Sequence, residues 1–140
     1  MKQKDVKGIS KLEIYLILVS LCFLIYANSL NNAFVSDDIP GIVNNPRIGE
    51  LFHALFQPAV TLYSFNYLLG KLTPFIYHLT NTLLHALNAI LVFSFLLRFF
   101  KMETALLGAA LFAVHPVNCE AVAWVSGRPY LIRALFLLVS

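Results

Sequence analysis

The sequence predicts an all-α, polytopic integral membrane bundle, and three observations carry that prediction. Hydrophobic residues make up 59% of the 140 residues and charged residues 12%, against about 45–50% and about 25% in ordinary soluble domains. The mean hydropathy is +0.77. The apolar residues fall in separate runs of helical length, with short polar segments between them. A single soluble core cannot hide this much apolar surface, so lipid serves as solvent for much of it. The net charge of +3 is modest and the basic residues are not clustered with exposed aromatics, which gives nucleic-acid binding no support.

A basic tail, residues 1–11, carries Lys2, Lys4, Lys7 and Lys11. The first span, 12–27, is nearly all Leu, Ile, Val and Phe, with Glu13 at its start. No small-x-small cleavage site follows at once, so an uncleaved span is expected rather than a signal peptide. Residues 28–74 form a long loop that is too apolar for a free linker. Ile48, Leu51, Phe52, Leu55 and Phe56 fall at helical spacing, with Gly49, Glu50 and His53 on the other side. That pattern predicts a short amphipathic helix lying in the membrane interface. Val60 to Leu69 reads as a second apolar stretch docked nearby, with Tyr63 and Tyr67 suited to the interfacial zone. Gly41, Asn44, Asn45 and Pro46 mark turns.

The second span is expected over 75–97, a turn over 98–103, a third span over 104–117 and a short outer helix over 118–128. A fourth span begins at residue 129 and meets the end of the sequence at Ser140. An 11-residue helix rises only about 16 Å, roughly half of a ~30 Å hydrocarbon core, so a longer natural product is expected. Lys2 to Lys11 and the pair Arg98 and Lys101 place the tail and the 98–103 turn in the cytoplasm by the positive-inside rule. Asp37, Asp38 and Glu120 then share the opposite face. Cys22 and Cys119 are expected to stay apart, with no disulfide, redox or metal role.

Three groups of residues could carry chemistry. His78, Asn81, His85 and Asn88 are spaced three, four and three residues apart, which puts them on one helical face. Polar side chains there must face other helices or a water-filled cavity. For Asn81 and Asn88 the expected role is interhelical hydrogen bonding. His78, nearest the surface, is the candidate for touching a polar ligand. His78 and His85 are about 10 Å apart along the axis, too far for one zinc ion. Asp37 and Asp38 sit beside Phe34 and Val35, which hold them against the membrane, and a partly desolvated carboxylate suits a general base for a hydroxyl acceptor. Asp38 is the favoured base, although acids also cap ordinary turns. The third group is His115-Pro116-Val117-Asn118-Cys119-Glu120 followed by Gly127-Arg128. It reads either as a capped turn or as the wall of an outer cavity where His115 and Arg128 meet a phosphate. Trp124 suits interfacial anchoring better than sugar stacking.

At these residues the chain resembles a known family. Phe34-Val35-Ser36-Asp37-Asp38 with Asn44-Asn45-Pro46, Asn66-Tyr67-Leu68-Leu69-Gly70, Tyr77-His78-Leu79-Thr80-Asn81, Leu83-Leu84-His85-Ala86 and the stretch from His115 to Arg128 look like the start of the transmembrane and tetratricopeptide-repeat O-mannosyltransferases. These belong to the wider glycosyltransferase C superfamily. The resemblance implies inverting transfer of one mannose-like sugar from a polyprenyl- or dolichyl-phosphate donor. The acceptor would be a protein Ser or Thr hydroxyl on the extracytoplasmic face of a bacterial plasma membrane or the endoplasmic reticulum. It implies a catalytic role for Asp37 and Asp38; the chemistry of a departing lipid phosphate, more than the motif, makes His78, His115, Glu120 and Arg128 the candidates for binding it. No cofactor beyond the lipid-linked sugar phosphate is implied, and metal dependence is open. Relatives carry Tyr-Arg-Pro-Leu where this chain has Phe56-Gln57-Pro58-Ala59, and an acid after Gly-Arg where it has Pro129-Tyr130. Two other classes share the composition. One is a non-catalytic membrane scaffold or remnant of the family. The other is a transporter, which charged residues in mid-membrane would favour.

Overall fold

The structure is a computed structural model, and it describes residues 9–50 and 57–140. Six α-helices are found among the described residues: α1 (Lys11–Tyr26), α2 (Pro58–Gly70), α3 (Pro74–Leu96), α4 (Met102–Val114), α5 (Cys119–Ala123) and α6 (Arg128–Val139). Together they make the all-helical membrane architecture that the composition demands. The interfacial helix expected around Leu51–Phe56 lies outside the described residues, as do Lys2, Lys4 and Lys7.

Local chemistry fixes where the helices start. Ser10 Oγ accepts the Glu13 N–H at 3.3 Å, and Glu13 Oε2 accepts the Ser10 N–H at 2.6 Å. This reciprocal cap satisfies two backbone donors at the head of α1. Proline opens both α2 and α3, where its missing N–H costs nothing. Between them Lys71 adopts φ 55°, which reverses the chain, and the Tyr77 hydroxyl donates to its carbonyl at 3.0 Å. The two helices therefore lie as a hairpin, joined across by Asn66 Nδ2 donating to Thr80 Oγ1 at 2.8 Å.

The 23 residues of α3 rise about 35 Å, enough to cross the hydrocarbon core. The stretch Lys11–Ser29 also qualifies as a span. A third is counted if Met102–Val114 and Pro116–Ala123, bent by 46° at their junction, are taken as one. The bend has a sequence cause: His115 is extended (ψ 128°), because Pro116 disfavours a helical residue before it. Consequently α4 stops at Val114, short of the third span expected to reach residue 117.

α1 runs antiparallel to α3 and alongside α4. Ile14 and Leu18 pack with Phe93, Met102, Ala105 and Ala109. One step further, Cys22 meets Ala86, Ala89 and Ala113. Tyr26 then joins Val122 and Leu131. Alanines along these contacts let the backbones approach closely, the usual device where lipid offers no hydrophobic drive between helices. The same order gives the bundle two chemically distinct ends. Lys11, Arg98 and Lys101 lie at the basic end. The 34–48 segment and the 115–128 segment meet at the other, acidic end.

Candidate functional site

The stripe on α3 faces protein along its whole length. Asn88 Nδ2 donates to the Leu131 carbonyl at 2.9 Å, tying α3 to α6. His85 Nε2 is 3.0 Å from the Ala113 carbonyl, which requires the Nε2–H tautomer, and its ring stands edge-on to Tyr26. Asn81 Nδ2 donates to the Trp124 carbonyl at 2.9 Å. Both asparagines thus serve as interhelical connections. His78 is also buried, and neither ring nitrogen has a hydrogen-bond partner among the described residues. Its neighbours include the backbone at Asn32 and Ala123 and the charged groups Asp38 and Arg128.

At the acidic end the residues after α5 make a compact turn. Trp124 is extended (φ −97°, ψ 128°), Val125–Gly127 form one 3-10 turn, and α6 begins at Arg128. The short helix expected over 118–128 is therefore two pieces with a break at Trp124. Gly127 closes the 3-10 turn and precedes α6 directly. Its role is steric, since a Cβ at this position would lie 2.7 Å from the Glu120 carbonyl oxygen and 2.9 Å from Ala121 Cα. Trp124 is half-buried, with Nε1 enclosed.

Arg128 turns back under this turn. Its Nε donates to Asn81 Oδ1 at 2.8 Å and Nη2 donates to the Tyr77 carbonyl at 3.0 Å. The guanidinium lies over the Tyr63 ring, 4.4 Å from its centroid, and 6.0 Å from that of Tyr77. The Tyr63 hydroxyl donates to the Val125 carbonyl at 3.1 Å. Tyr63 is thus buried within the protein, with its hydroxyl paired. Burial pushes the Tyr63 phenol up to about 12, so it stays a donor at neutral pH. Burial lowers the Arg128 guanidinium to about 10, which still leaves a cation. A buried cation needs fixed partners to be tolerated. Two aromatic faces, an amide oxygen and a carbonyl hold the guanidinium plane, Nε and Nη2, while Nη1 is enclosed without a hydrogen-bond partner among the described residues.

The acidic pair is split by the fold. Asp38 has no exposed surface. Its Oδ1 accepts the Ser126 N–H at 2.8 Å and the Ser126 hydroxyl at 2.5 Å, and its Oδ2 accepts the Val35 N–H at 3.1 Å. The two bonds from Ser126 are charge-assisted and join segments 88 residues apart. Asp37 is exposed. Ahead of it, Ser36 holds φ 52°, a left-handed conformation that costs a non-glycine residue about 1–3 kcal/mol and persists only where surroundings impose it. Phe34 contributes to that constraint, standing edge-on to Tyr77 at 5.1 Å. Below the loop, Ile42 and Ile48 pack on Tyr63, Tyr77 and Val125.

His115 and Glu120 are exposed. His115 Nδ1 accepts the Val117 N–H at 3.2 Å and so caps the following turn. The structure thus brings Asp38, His78 and Arg128 into one buried cluster, and leaves Asp37, His115 and Glu120 on the surface of the same end. Among the described residues, no three His, Cys, Asp or Glu side chains gather as a metal site. Cys22 and Cys119 are free thiols. Cys22 is buried against α3 and α4, while Cys119 is exposed. Ser126, Tyr63 and Tyr77 carry much of the site, and the sequence did not assign them these roles. Ser126 lies in the turn before α6, Tyr63 on α2 and Tyr77 on α3, and contacts between these distant segments give the three their roles.

No family model matches the chain, and no solved structure matches it. Curated relatives do. Protein O-mannosyl-transferase TMTC3 of Mus musculus is 32% identical over 145 residues, covering 89% of this chain and 16% of the relative. Protein O-mannosyl-transferase Tmtc1 of Drosophila melanogaster is 34% identical, covering 86% and 17%. Protein O-mannosyl-transferase TMTC4 of Homo sapiens is 32% identical, covering 89% and 22%. The chain spans about a sixth of the length of the first of these. Over nearly nine-tenths of its own length, then, the chain matches the TMTC O-mannosyl-transferases, as a segment of the longer proteins in that family.

Proposed function

We propose that this chain forms the acidic-loop part of a membrane glycosyltransferase. The enzyme would move a mannose-like sugar from a polyprenyl- or dolichyl-phosphate donor to a Ser or Thr hydroxyl of a protein. The observation that carries the reading is the joining of the Asp37–Asp38 loop to the 115–128 turn at the end of the bundle remote from Arg98 and Lys101. By the positive-inside rule that end is extracytoplasmic. The names of the relatives supply the reaction class.

In this reading Asp37 is the base, because it is the exposed member of the pair, and Asp38 anchors the loop. The Asp37 carboxylate takes the proton of the acceptor hydroxyl. The acceptor oxygen attacks the anomeric carbon, the bond from that carbon to the phosphate oxygen breaks, and the polyprenyl phosphate departs with inversion at the sugar. His115 is the exposed candidate for meeting the departing phosphate, with Glu120 beside it at the same surface. Arg128 and His78 act from beneath, Arg128 as a fixed positive charge. The reading needs no cofactor beyond the donor's own phosphate.

Membranes containing the protein expressed from its full reading frame, supplied with polyprenyl-phosphate mannose and a Ser/Thr peptide, are expected to add one hexose to the peptide, read by mass spectrometry. Peptide left unmodified, with donor intact, would point to a non-catalytic scaffold. One observation favours that second reading: Asp38, His78 and Arg128 are all enclosed by protein contacts.

A further inference from the structure

We infer that Ser126 is a positioning residue for the acidic loop, acting through Asp38 to set where the Asp37 carboxylate stands. The inference rests on the reaction proposed above. The turn carrying Ser126 is fixed from two sides before it meets the loop. Asn81 Nδ2 holds the Trp124 carbonyl at 2.9 Å, and the Tyr63 hydroxyl holds the Val125 carbonyl at 3.1 Å. Arg128 braces Asn81 from below through Nε. With those acceptors occupied by α2 and α3, the Ser126 N–H and hydroxyl converge on a single oxygen, Asp38 Oδ1.

On the loop side the geometry is equally closed. Asp38 N–H donates to the Val35 carbonyl at 3.0 Å while Asp38 Oδ2 takes the Val35 N–H, so residues 35–38 form a tight ring around Ser36. The Asp37 carbonyl accepts the Gly41 N–H at 3.0 Å. The backbone on both sides of Asp37 is therefore pinned, and the left-handed Ser36 is the point the pinning must hold. Strain kept at one residue by a long-range contact marks a pre-set geometry. The Ser126 hydroxyl supplies one of the three donors that keep it.

Ser126→Ala removes that hydroxyl and keeps the backbone N–H donor, so the turn itself is retained. In the full-length protein its turnover number should fall roughly 10- to 100-fold, the loss of one charge-assisted bond. Its KM for the polyprenyl-phosphate donor should stay within about twofold, since no donor contact is removed. Ser126→Thr, which restores a hydroxyl, should recover most of the turnover. In a Ser36→Cys background, Ser126→Ala should also speed modification of the cysteine by a maleimide, because the loop is less restrained. The positioning role is overturned if Ser126→Ala turns over normally beside an inactive Asp37→Asn, if its defect lies in KM, or if threonine fails to rescue. Absence of transfer by the unaltered protein instead defeats the functional reading on which the role depends.

Discussion

Asp37→Asn is expected to lower sugar transfer by roughly two to four orders of magnitude, the usual contribution of a positioned general base. The amide keeps the size and much of the polarity of the carboxylate but cannot take a proton. The substitution should be quiet structurally, because Asp37 is exposed and its side chain holds no other part of the fold together. Melting of the variant should match that of the unaltered protein, since surface substitutions away from such contacts usually stay within about 0.5 kcal/mol. Asp38→Asn provides the contrast. It replaces an acceptor facing the Val35 N–H with an amide whose NH2 must be placed among donors. That variant should lose stability as well as turnover. Full transfer by Asp37→Asn in the peptide assay would remove Asp37 from the base role.

Arg128→Ala is expected to produce the largest loss of stability, on the order of 3–5 kcal/mol. The change deletes a buried side chain that spans α2, α3 and the start of α6. It leaves Asn81 Oδ1 without its donor and opens a void against Tyr63. Lysine is no substitute, because one ammonium cannot reproduce the fork that reaches an amide oxygen and a carbonyl at once while lying flat on a ring. Arg128→Lys should therefore recover only part of the loss. Thermal unfolding in detergent micelles or nanodiscs checks both variants, and melting of Arg128→Ala indistinguishable from the parent would mean the cluster contributes little.

How far the sequence reached can be read from individual residues. Helix existence followed from apolar runs, and the α3 stripe from a three-four-three spacing that has one geometric solution. The Asn81 and Asn88 side-chain N–H groups find acceptors on the turn before α6 and on α6, as costly polar groups in a membrane span are expected to. The side of the bundle shared by Asp37, Asp38 and Glu120 followed from counting lysines and arginines. What the sequence did not carry is which member of an adjacent acidic pair faces inward. Ser36 decides that, since its left-handed φ rotates Asp38 under the loop, and a serine gives no warning of such a conformation. Arg128 posed the opposite difficulty. In the same segment as His115 it read as a phosphate ligand, while in three dimensions Tyr63, Tyr77 and Asn81 from α2 and α3 enclose it. The break at Trp124 was similarly hidden, because Ala121 to Val125 is apolar enough to continue a helix.

The relation between the two ends of the bundle is the claim from which the rest follows, and cysteine modification in sealed membrane vesicles of known orientation tests it most directly. With Cys22 replaced by serine, native Cys119 offers an exposed thiol on the 115–128 segment. Ser36→Cys and Phe99→Cys, each with Cys119 also replaced, report the acidic loop and the turn between α3 and α4; Phe99 is well exposed. A membrane-impermeant maleimide should modify Cys119 and the cysteine at position 36 alike in vesicles sealed with the extracytoplasmic face outward, and position 99 only after permeabilisation. Modification of positions 36 and 119 from opposite sides of the membrane would contradict the account.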